Sequence, residues 1–511
     1  MVRWKRALNS TLAVTAVIFA SKLFGFVREI IAAGYFGTSM EKGAYDSAYS
    51  LFYVPVLLFS SCFTSTIVPM YVDERTNHSI RTANRFASNV TNLAGMLSVI
   101  VSVLMIVLAE PLVRLVYAGF AGEQLALTVR LTRIMLIGLV FFVVAIVLSS
   151  VLNARGQFMA AQLTGFPLSL CSIAATVFFT GGGVVAVAWS TVLSGILQIL
   201  IMLPFLRGDF HYSADFSLHD RRIRRLVHLA LPAILSMSVS ELNHMVDRSL
   251  ASGLNEADIP AMNYAFKLIM FLLGVIVVPI ATVAFSRMSV QASKKDENGL
   301  LRTLRTSMEQ GAFLLLPIGA ICIVLAQNII RAAYMRGAFD EHSLLVTSGV
   351  FQYYAVGLIA FGLRDILVRA FQAMQDNLTP LRVSCASMAT NIALNLILRE
   401  FMGVYGLALA TSIAGFVSVV ALYALLRKRL GGKLHSRAML EEWMKIAIAT
   451  AAAVIVALAL NHVLPAWEGP LMRFVRLGAA GIGAVLAYAI VCYALKVRQL
   501  REIWKVFRRG A

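Results

Sequence analysis

Long apolar runs alternate with short polar connectors along the whole chain. About fourteen of these runs hold roughly 20 or more residues, which is the length an α-helix needs to cross a hydrocarbon core of about 30 Å. The predicted spans are 9–36, 45–70, 89–108, 125–152, 158–180, 183–206, 226–251, 261–286, 308–326, 343–371, 381–398, 402–426, 440–462 and 471–495. This pattern predicts an all-α polytopic membrane protein with little chain left for a soluble domain.

Composition supports the same class. The chain has 511 residues, of which 59% are hydrophobic and 14% charged, and its mean hydropathy is +0.79. A chain of this length and apolarity needs lipid as its solvent. The first run is longer than the apolar core of a signal peptide, contains Lys22 and Arg28, and lacks a small-residue cleavage site. It is therefore expected to stay as the first membrane helix.

The distribution of positive charge predicts the topology. With the N-terminus placed inside, about 31 lysines and arginines fall on inside segments and about seven, including Lys42 and Arg114, fall outside. By the positive-inside rule, both termini face the cytoplasm of a bacterial inner-membrane protein. The net charge of +19 is then explained by topology and by contact with anionic membrane lipids, and not by nucleic-acid binding.

The second half of the chain repeats the first at an offset of about 217 residues. Leu112–Phe120 aligns with Ile329–Gly337, so that Tyr117 corresponds to Tyr334. A repeat of six helices, an even number, enters the membrane from the same side in both copies, which predicts two bundles related by a pseudo-twofold axis along the membrane normal. The predicted domains are 1–225 and 226–430, followed by two extra helices and a basic tail in 431–511. The alternative is that apolar helices resemble one another by composition alone.

Ionisable residues inside the spans are the strongest functional signal, because each costs at least about 2.5–3.5 kcal/mol near the bilayer centre. Lys22, Arg28 and Glu29 fall on the first span, Asp46 begins the second, and Lys267 lies on the eighth. The three cations suit a polyanionic headgroup, because arginine offers a fork to phosphate and lysine a compact charge. The alternative is that Arg28 pairs with Glu29 or Asp46, while Lys22 extends to the membrane surface.

A second group of polar residues suits a small cation. Asp247 lies on the seventh span, Asn391 and Asn395 share one face of the eleventh, and Thr411 lies on the twelfth. Carboxylate, amide and hydroxyl oxygens form the shell that a hard cation prefers, which raises the hypothesis of a Na⁺ site with Na⁺ as coupling ion and no other cofactor. Ordinary hydrogen bonding between membrane helices is the alternative.

An ordered set of short motifs resembles the MurJ (MviN) lipid II flippase family over nearly the whole chain. The segments that carry it are Gly25–Glu29, Phe36–Gly37, Ala44–Asp46, Val68–Tyr71, Leu231–Asn243, Asp247–Ser252, Arg336–Asp340, Arg369–Ala373, Asp376–Pro380 and Gly406–Ser412. The resemblance implies a multidrug/oligosaccharidyl-lipid/polysaccharide exporter fold. It also implies export of lipid II, the undecaprenyl-pyrophosphate-linked peptidoglycan precursor used in cell-wall biogenesis, by alternating access.

The resemblance also implies roles for individual residues. Arg28 stands at the family's first-helix arginine, Glu29 replaces a more common aspartate, and Lys22 and Lys267 occupy positions often held by arginine. The four oxygen-bearing residues named above match the family's sodium site. Some members carry an essential arginine pair in the second helix, where this chain has Phe59 and Ser60, so its headgroup contacts differ from theirs.

Other functions remain as alternatives. A flippase for another polyprenyl-linked oligosaccharide, of the O-antigen or polysaccharide type, would need the same cations. A drug/Na⁺ antiporter would need an acidic, aromatic cavity. An intramembrane glycosyltransferase would need catalytic carboxylates and a long outer loop, and the eight histidines lack metal-ligand spacing. The sequence therefore predicts a transporter and not an enzyme.

Overall fold

The computed structural model describes residues 2–208, 210–217, 220–431, 437–464 and 470–501. Within these ranges every regular element is a helix, which confirms the all-α prediction. The chain divides into two compact units, Met1–Pro260 and Ala261–Ala511. The end of the predicted basic tail, residues 502–511, lies outside the described residues.

Nine α-helices form the first unit, with one short 3₁₀ turn before α7 and another before α8. They are α1 Val2–Phe36, α2 Met40–Asn77, α3 Ile80–Val107, α4 Ala109–Val116, α5 Gly122–Ala154, α6 Phe158–Gln162, α7 Phe166–Phe178, α8 Gly183–Leu206 and α9 Arg221–Ala251. Helices α2 and α5 lie at its centre, with α3, α8 and α9 packed around them. Ala44 and Ala48, both fully buried, are one turn apart on α2, and small residues at this spacing let membrane helices approach closely.

The second unit contains nine more helices. They are α10 Asp258–Ser293, α11 Glu297–Val324, α12 Ala326–Tyr334, α13 Glu341–Val356, α14 Leu358–Ala373, α15 Leu378–Met402, α16 Val404–Arg429, α17 Arg437–Val463 and α18 Pro470–Ala494. The last two pair with each other, and α17 packs on α11. Buried Glu309 of α11 accepts hydrogen bonds from Arg498 and, at 2.9 Å, from Gln499, which fastens the chain after α18 to this unit.

Apolar length agrees with the predicted spans. Eleven helices in the described part of the chain are long and apolar enough to cross a membrane, or twelve if the bent pair α13–α14 counts as one span. Helices α1 and α9 coincide with two further predicted spans, 9–36 and 226–251. The chain is therefore a polytopic membrane protein.

The predicted span 343–371 is not one straight helix. It is broken into α13 and α14, which meet at Gly357 with a bend of 44°. The Ser412 hydroxyl donates to the Tyr353 carbonyl at 2.6 Å, and the Gly357 amide turns to the Tyr354 carbonyl at 3.0 Å. A side chain that takes over one backbone carbonyl interrupts the helical ladder and bends the helix.

The internal repeat extends to helix ends and to single hydrogen bonds. Helices α3 and α11 begin 217 positions apart (80 and 297) and end 217 positions apart (107 and 324). The Tyr117 hydroxyl donates to the Ser47 carbonyl at 3.3 Å, and the Tyr334 hydroxyl donates to the Tyr264 carbonyl at 3.3 Å. Both donors and both acceptors are again 217 positions apart, so composition alone does not explain the likeness.

The compact units do not divide where the predicted domains do. Helix α9 packs on α2, which places it in the first unit, whereas the sequence predicted a boundary between residues 225 and 226. That boundary concerns which helices move together during transport, and it stays a prediction.

The segment 210–217 is fastened along α3 by side chains. The Asn89 amide exchanges two 3.0 Å hydrogen bonds with the backbone of Ser217, and Arg85 pairs with Asp215 at 2.5 Å. The Asn89 side chain therefore makes the pair of hydrogen bonds that another stretch of backbone would otherwise supply, and it satisfies the N–H and C=O groups of Ser217.

Asp220 begins α9 and accepts hydrogen bonds from the Arg222 amide and side chain at 2.9 Å. Arg222 also pairs with Glu74 of α2 at 3.2 Å. The hydrogen bond from the Arg222 side chain holds the pKa of the Asp220 carboxyl below its usual value.

Candidate functional site

Arg28 and Glu29 form an ion pair on α1. The Arg28 guanidinium donates to Glu29 Oε1 from Nη2 at 2.8 Å and from Nε at 3.2 Å. Their side chains are 18% and 6% exposed. The pairing of these neighbours was one of the two interpretations that the sequence left open. It neutralises Arg28 while leaving other donors of its fork for a ligand.

A row of tyrosines follows one face of α2. Tyr45, Tyr49 and Tyr53 recur every four residues, with ring centroids 6.3 Å and 5.8 Å apart. The first two are close enough to Arg28 to interact with it electrostatically. Aromatic faces beside a guanidinium favour both cation–π contact and stacking on flat ligand groups. This row was not predicted from the sequence, although the four-residue spacing of three tyrosines indicates it.

Lys42 and Asp46 form a buried pair one turn apart. Lys42 Nζ lies 2.5 Å from Asp46 Oδ1, and the side chains are only 2% and 4% exposed. The sequence predicted Lys42 on a connector before the second span, whereas the structure places it in the first turn of α2, which begins at Met40; its outer side of the membrane stays a prediction. Asp46, a predicted substrate contact, is thus the partner of a buried lysine.

The remaining predicted cations differ in their surroundings. Lys22 is exposed on α1, and Lys267 of α10 is half-buried in the second unit. On α9, Arg248 donates to the Ser50 hydroxyl of α2 at 2.6 Å. The role of Lys22, Arg28 and Lys267 in holding a headgroup stays a prediction.

Three of the four predicted cation ligands meet in the second unit. Asn395 donates to Asn391 Oδ1 at 2.9 Å, Asn391 donates to Thr411 Oγ1 at 3.2 Å, and Thr411 donates to the Leu407 carbonyl at 3.1 Å. All three polar side chains are buried. This chain of hydrogen bonds joins α15 to α16, as the alternative interpretation expected. Cation binding would require Asn391 Oδ1 and Thr411 Oγ1, which accept hydrogen bonds here, to turn towards the ion.

Asp247, the fourth predicted ligand, is 1% exposed on α9 of the first unit. Among the described residues, no group of three or more histidines, cysteines and carboxylates could hold a metal ion. A Na⁺ site built from amide and hydroxyl oxygens with one carboxylate is of a different kind, and it stays a prediction.

Comparison with known proteins assigns the family. The family model described as "Lipid II flippase MurJ" matches residues 32–475. The chain belongs to the MurJ family.

Two relatives of the chain are both named "Probable lipid II flippase MurJ". The one from Rhizobium tropici is 29% identical over 432 residues, covering 82% of this chain and 80% of that protein. The one from Rickettsia prowazekii (strain Madrid E) is 28% identical over 499 residues, covering 96% of this chain and 98% of that protein. The likeness to MurJ proteins is therefore spread over the whole chain.

Solved structures show the same fold. A MurJ structure, "Lipid II flippase MurJ, inward closed conformation", matches with a TM-score of 0.80 at 22% identity, covering 95% of this chain and 99% of that one. An inward-facing multidrug resistance MATE family transporter of the MOP superfamily matches with a TM-score of 0.72 at 16% identity, covering 82% of this chain and 98% of that one. The fold is thus shared by MurJ and by MATE transporters.

The resemblance drew attention to Phe59 and Ser60 of α2, at the positions where it implies an arginine pair in some family members. Phe59 stacks on Phe63 at 5.9 Å between ring centroids. Aromatic packing therefore occupies this part of α2.

Proposed function

We propose that the protein is a lipid II flippase, which moves the undecaprenyl-pyrophosphate-linked peptidoglycan precursor from the cytoplasmic to the outer leaflet. The observation that carries this proposal is the match of the MurJ family model to residues 32–475. The family is one of transporters and not of enzymes. Both termini are then cytoplasmic, as the positive-inside rule predicts, and anionic lipids contact the basic inner surface.

The substrate carries a pyrophosphate, sugars and a long apolar tail, and the first unit offers groups suited to the first two. Arg28 can contact phosphate through the donors that Glu29 leaves available. The tyrosine row beside it can stack on sugar rings. Lys22 and Lys267 are proposed to contact the headgroup during the transport cycle, in which residues 1–225 and 226–430 move as alternating bundles.

Complementation in cells depleted of their own lipid II flippase tests the proposal. Wild type, Arg28→Ala, Arg28→Lys and the control Arg75→Ala are compared at equal membrane abundance, with lipid II on the outer leaflet as the readout. Arg75 is an exposed arginine near the end of α2, so its loss tests for an unspecific effect of charge. We expect rescue by wild type and by Arg75→Ala, loss with Arg28→Ala, and partial rescue by Arg28→Lys, which keeps the charge but not the fork.

A well-expressed wild type that fails to rescue would move the substrate to another polyprenyl-linked oligosaccharide. Equal rescue by Arg28→Ala would remove Arg28 from the substrate site and leave the family assignment intact. Na⁺ coupling through Asp247, Asn391, Asn395 and Thr411 is proposed separately. It predicts that replacing external Na⁺ with choline slows lipid II exposure in wild type but not in Asp247→Asn.

A further inference from the structure

A cationic cavity of about 700 Å³ opens in the first unit. Helices α4, α5 and α8 contribute its walls. Three arginines, Arg114, Arg130 and Arg133, line it together with Trp189 and a single carboxylate, Glu110. We call these five residues the arginine cavity.

The arginine cavity holds more positive than negative charge. Arg114 pairs with Glu110 at 2.9 Å, whereas Arg130 and Arg133 are exposed and form no ion pair within the described part of the chain. Neither arginine was among the predicted site residues, because both fall inside the apolar span 125–152. Arg133 lies eleven residues into α5, about 16 Å from the start of the helix, so the cavity extends inward from that end of the unit.

The internal repeat has uncharged residues at the positions that match Arg130 and Arg133. Helix α5 begins at Gly122 and α13 at Glu341, an offset of 219, so Arg130 and Arg133 correspond to Gly349 and Gln352.

Arg133 Nε donates to the Ile106 carbonyl at 3.3 Å, and Gln352 Nε2 donates to the Ile323 carbonyl at 3.0 Å. The two carbonyls are themselves 217 positions apart. A neutral amide thus makes the same backbone contact, and the positive charge of Arg133 is additional to it.

We propose that the arginine cavity binds the phosphate headgroup of an anionic phospholipid. Two guanidinium groups without carboxylate partners are suited to phosphate, which they contact through paired N–H donors. Trp189 is 51% exposed and lies six residues into α8, and tryptophan is enriched at the headgroup level of membranes. The α4 end of the unit is the predicted outer end, so the lipid belongs to the outer leaflet. This proposal does not depend on which substrate the protein transports.

Native mass spectrometry of the purified full-length protein tests the proposal, with dioleoyl phosphatidylglycerol, dioleoylglycerol and undecaprenyl phosphate as separate probes. The test variant is Arg130→Gln/Arg133→Gln, which keeps an amide able to reach the Ile106 carbonyl. The matched control is Arg331→Gln, at the position that corresponds to Arg114 in the second unit.

We expect wild type and Arg331→Gln to retain phosphatidylglycerol and the double variant to bind it about 25-fold more weakly, or about fivefold per arginine. Binding of dioleoylglycerol, which lacks the phosphate, should be weak in all three.

Fluorescence locates the bound lipid. Phosphatidylglycerol with brominated acyl chains should quench wild type more than Trp189→Phe, and the difference should disappear in the double variant. Equal phosphatidylglycerol binding by wild type and double variant would overturn the proposal. Selective loss of undecaprenyl phosphate binding would overturn the phospholipid assignment and make the cavity a site for the carrier lipid. Neither outcome changes the complementation result by which the proposed function is judged.

Discussion

The buried pair Lys42–Asp46 predicts a large energetic coupling between two charges. Removing one partner of a buried ion pair leaves the other uncompensated and costs about 3–5 kcal/mol. Removing both charges leaves no such penalty. We therefore expect Lys42→Met and Asp46→Asn each to destabilise the first unit strongly, and the double variant to lose much less than the sum.

Thermal unfolding in a mild detergent measures this coupling through the protein's own thiols. Four cysteines are buried, and only Cys385 is exposed. In a Cys385→Ser background, a thiol-reactive dye therefore reports on unfolding. A loss of about 3–5 kcal/mol corresponds to a melting temperature lower by roughly 6–20 °C, at roughly 2–4 °C per kcal/mol for a unit of this size.

The exposed pair Arg114–Glu110 has the same four-residue spacing and serves as the control. Glu110→Gln should change stability by less than about 1 kcal/mol. If the double variant of Lys42 and Asp46 loses as much stability as the two single variants together, the two charges are not coupled and the reasoning is refuted. The same variants also test the pair as part of the substrate site, because a double variant that is stable but fails to complement would assign Lys42 or Asp46 a role beyond stability.

Three further predictions concern other parts of the chain. Gly119→Ala would place its Cβ 2.2 Å from the Ser252 carbonyl oxygen, so we expect a loss of about 1–3 kcal/mol in the same unfolding assay. Glu309→Ala should release the α17–α18 pair. Cys492 is fully buried in the wild type, so maleimide should label it at least tenfold faster in the variant. An unchanged labelling rate would contradict the docking role of Glu309. Asp220→Asn should lower the melting temperature at neutral pH. The pKa of the Asp220 carboxyl is lowered from 3.8. The difference in melting temperature between wild type and Asp220→Asn should therefore be complete above pH 3.8 and should vanish as the pH falls through the lowered pKa. A difference in melting temperature that does not change with pH would exclude the carboxylate charge as its cause.

Hydropathy was enough to predict the membrane helices, because the length of an apolar run is set by the bilayer and not by distant contacts. The four-residue spacing of Asn391 and Asn395 likewise predicted their shared face. The bend at Gly357 could not be predicted in this way, because its cause is the hydroxyl of Ser412, 55 positions later in the chain.

Candidate charges were harder to interpret than spans. Lys42 was predicted on a connector because the apolar run begins at 45, whereas its helix begins five residues earlier, at Met40. Arg130 and Arg133 were overlooked because an apolar span absorbs two exposed arginines without losing its hydropathy. The sequence left two partners open for Arg28, and only side-chain geometry distinguishes Glu29 from Asp46. Composition thus predicts which segments are in lipid, whereas the pairing of charges depends on three-dimensional contacts.

The tyrosine hydrogen bonds shared by the two halves explain how such a duplication survives divergence. In each copy a tyrosine hydroxyl donates to a backbone carbonyl, of Ser47 in one and of Tyr264 in the other. A carbonyl is present whatever the side chain, so the accepting position is free to mutate while the donor is held constant. The sequence likeness between duplicated halves is therefore expected to persist longest at side chains that donate hydrogen bonds to backbone carbonyls. Buried tyrosines are accordingly good positions at which to look for ancient duplications in other transporters.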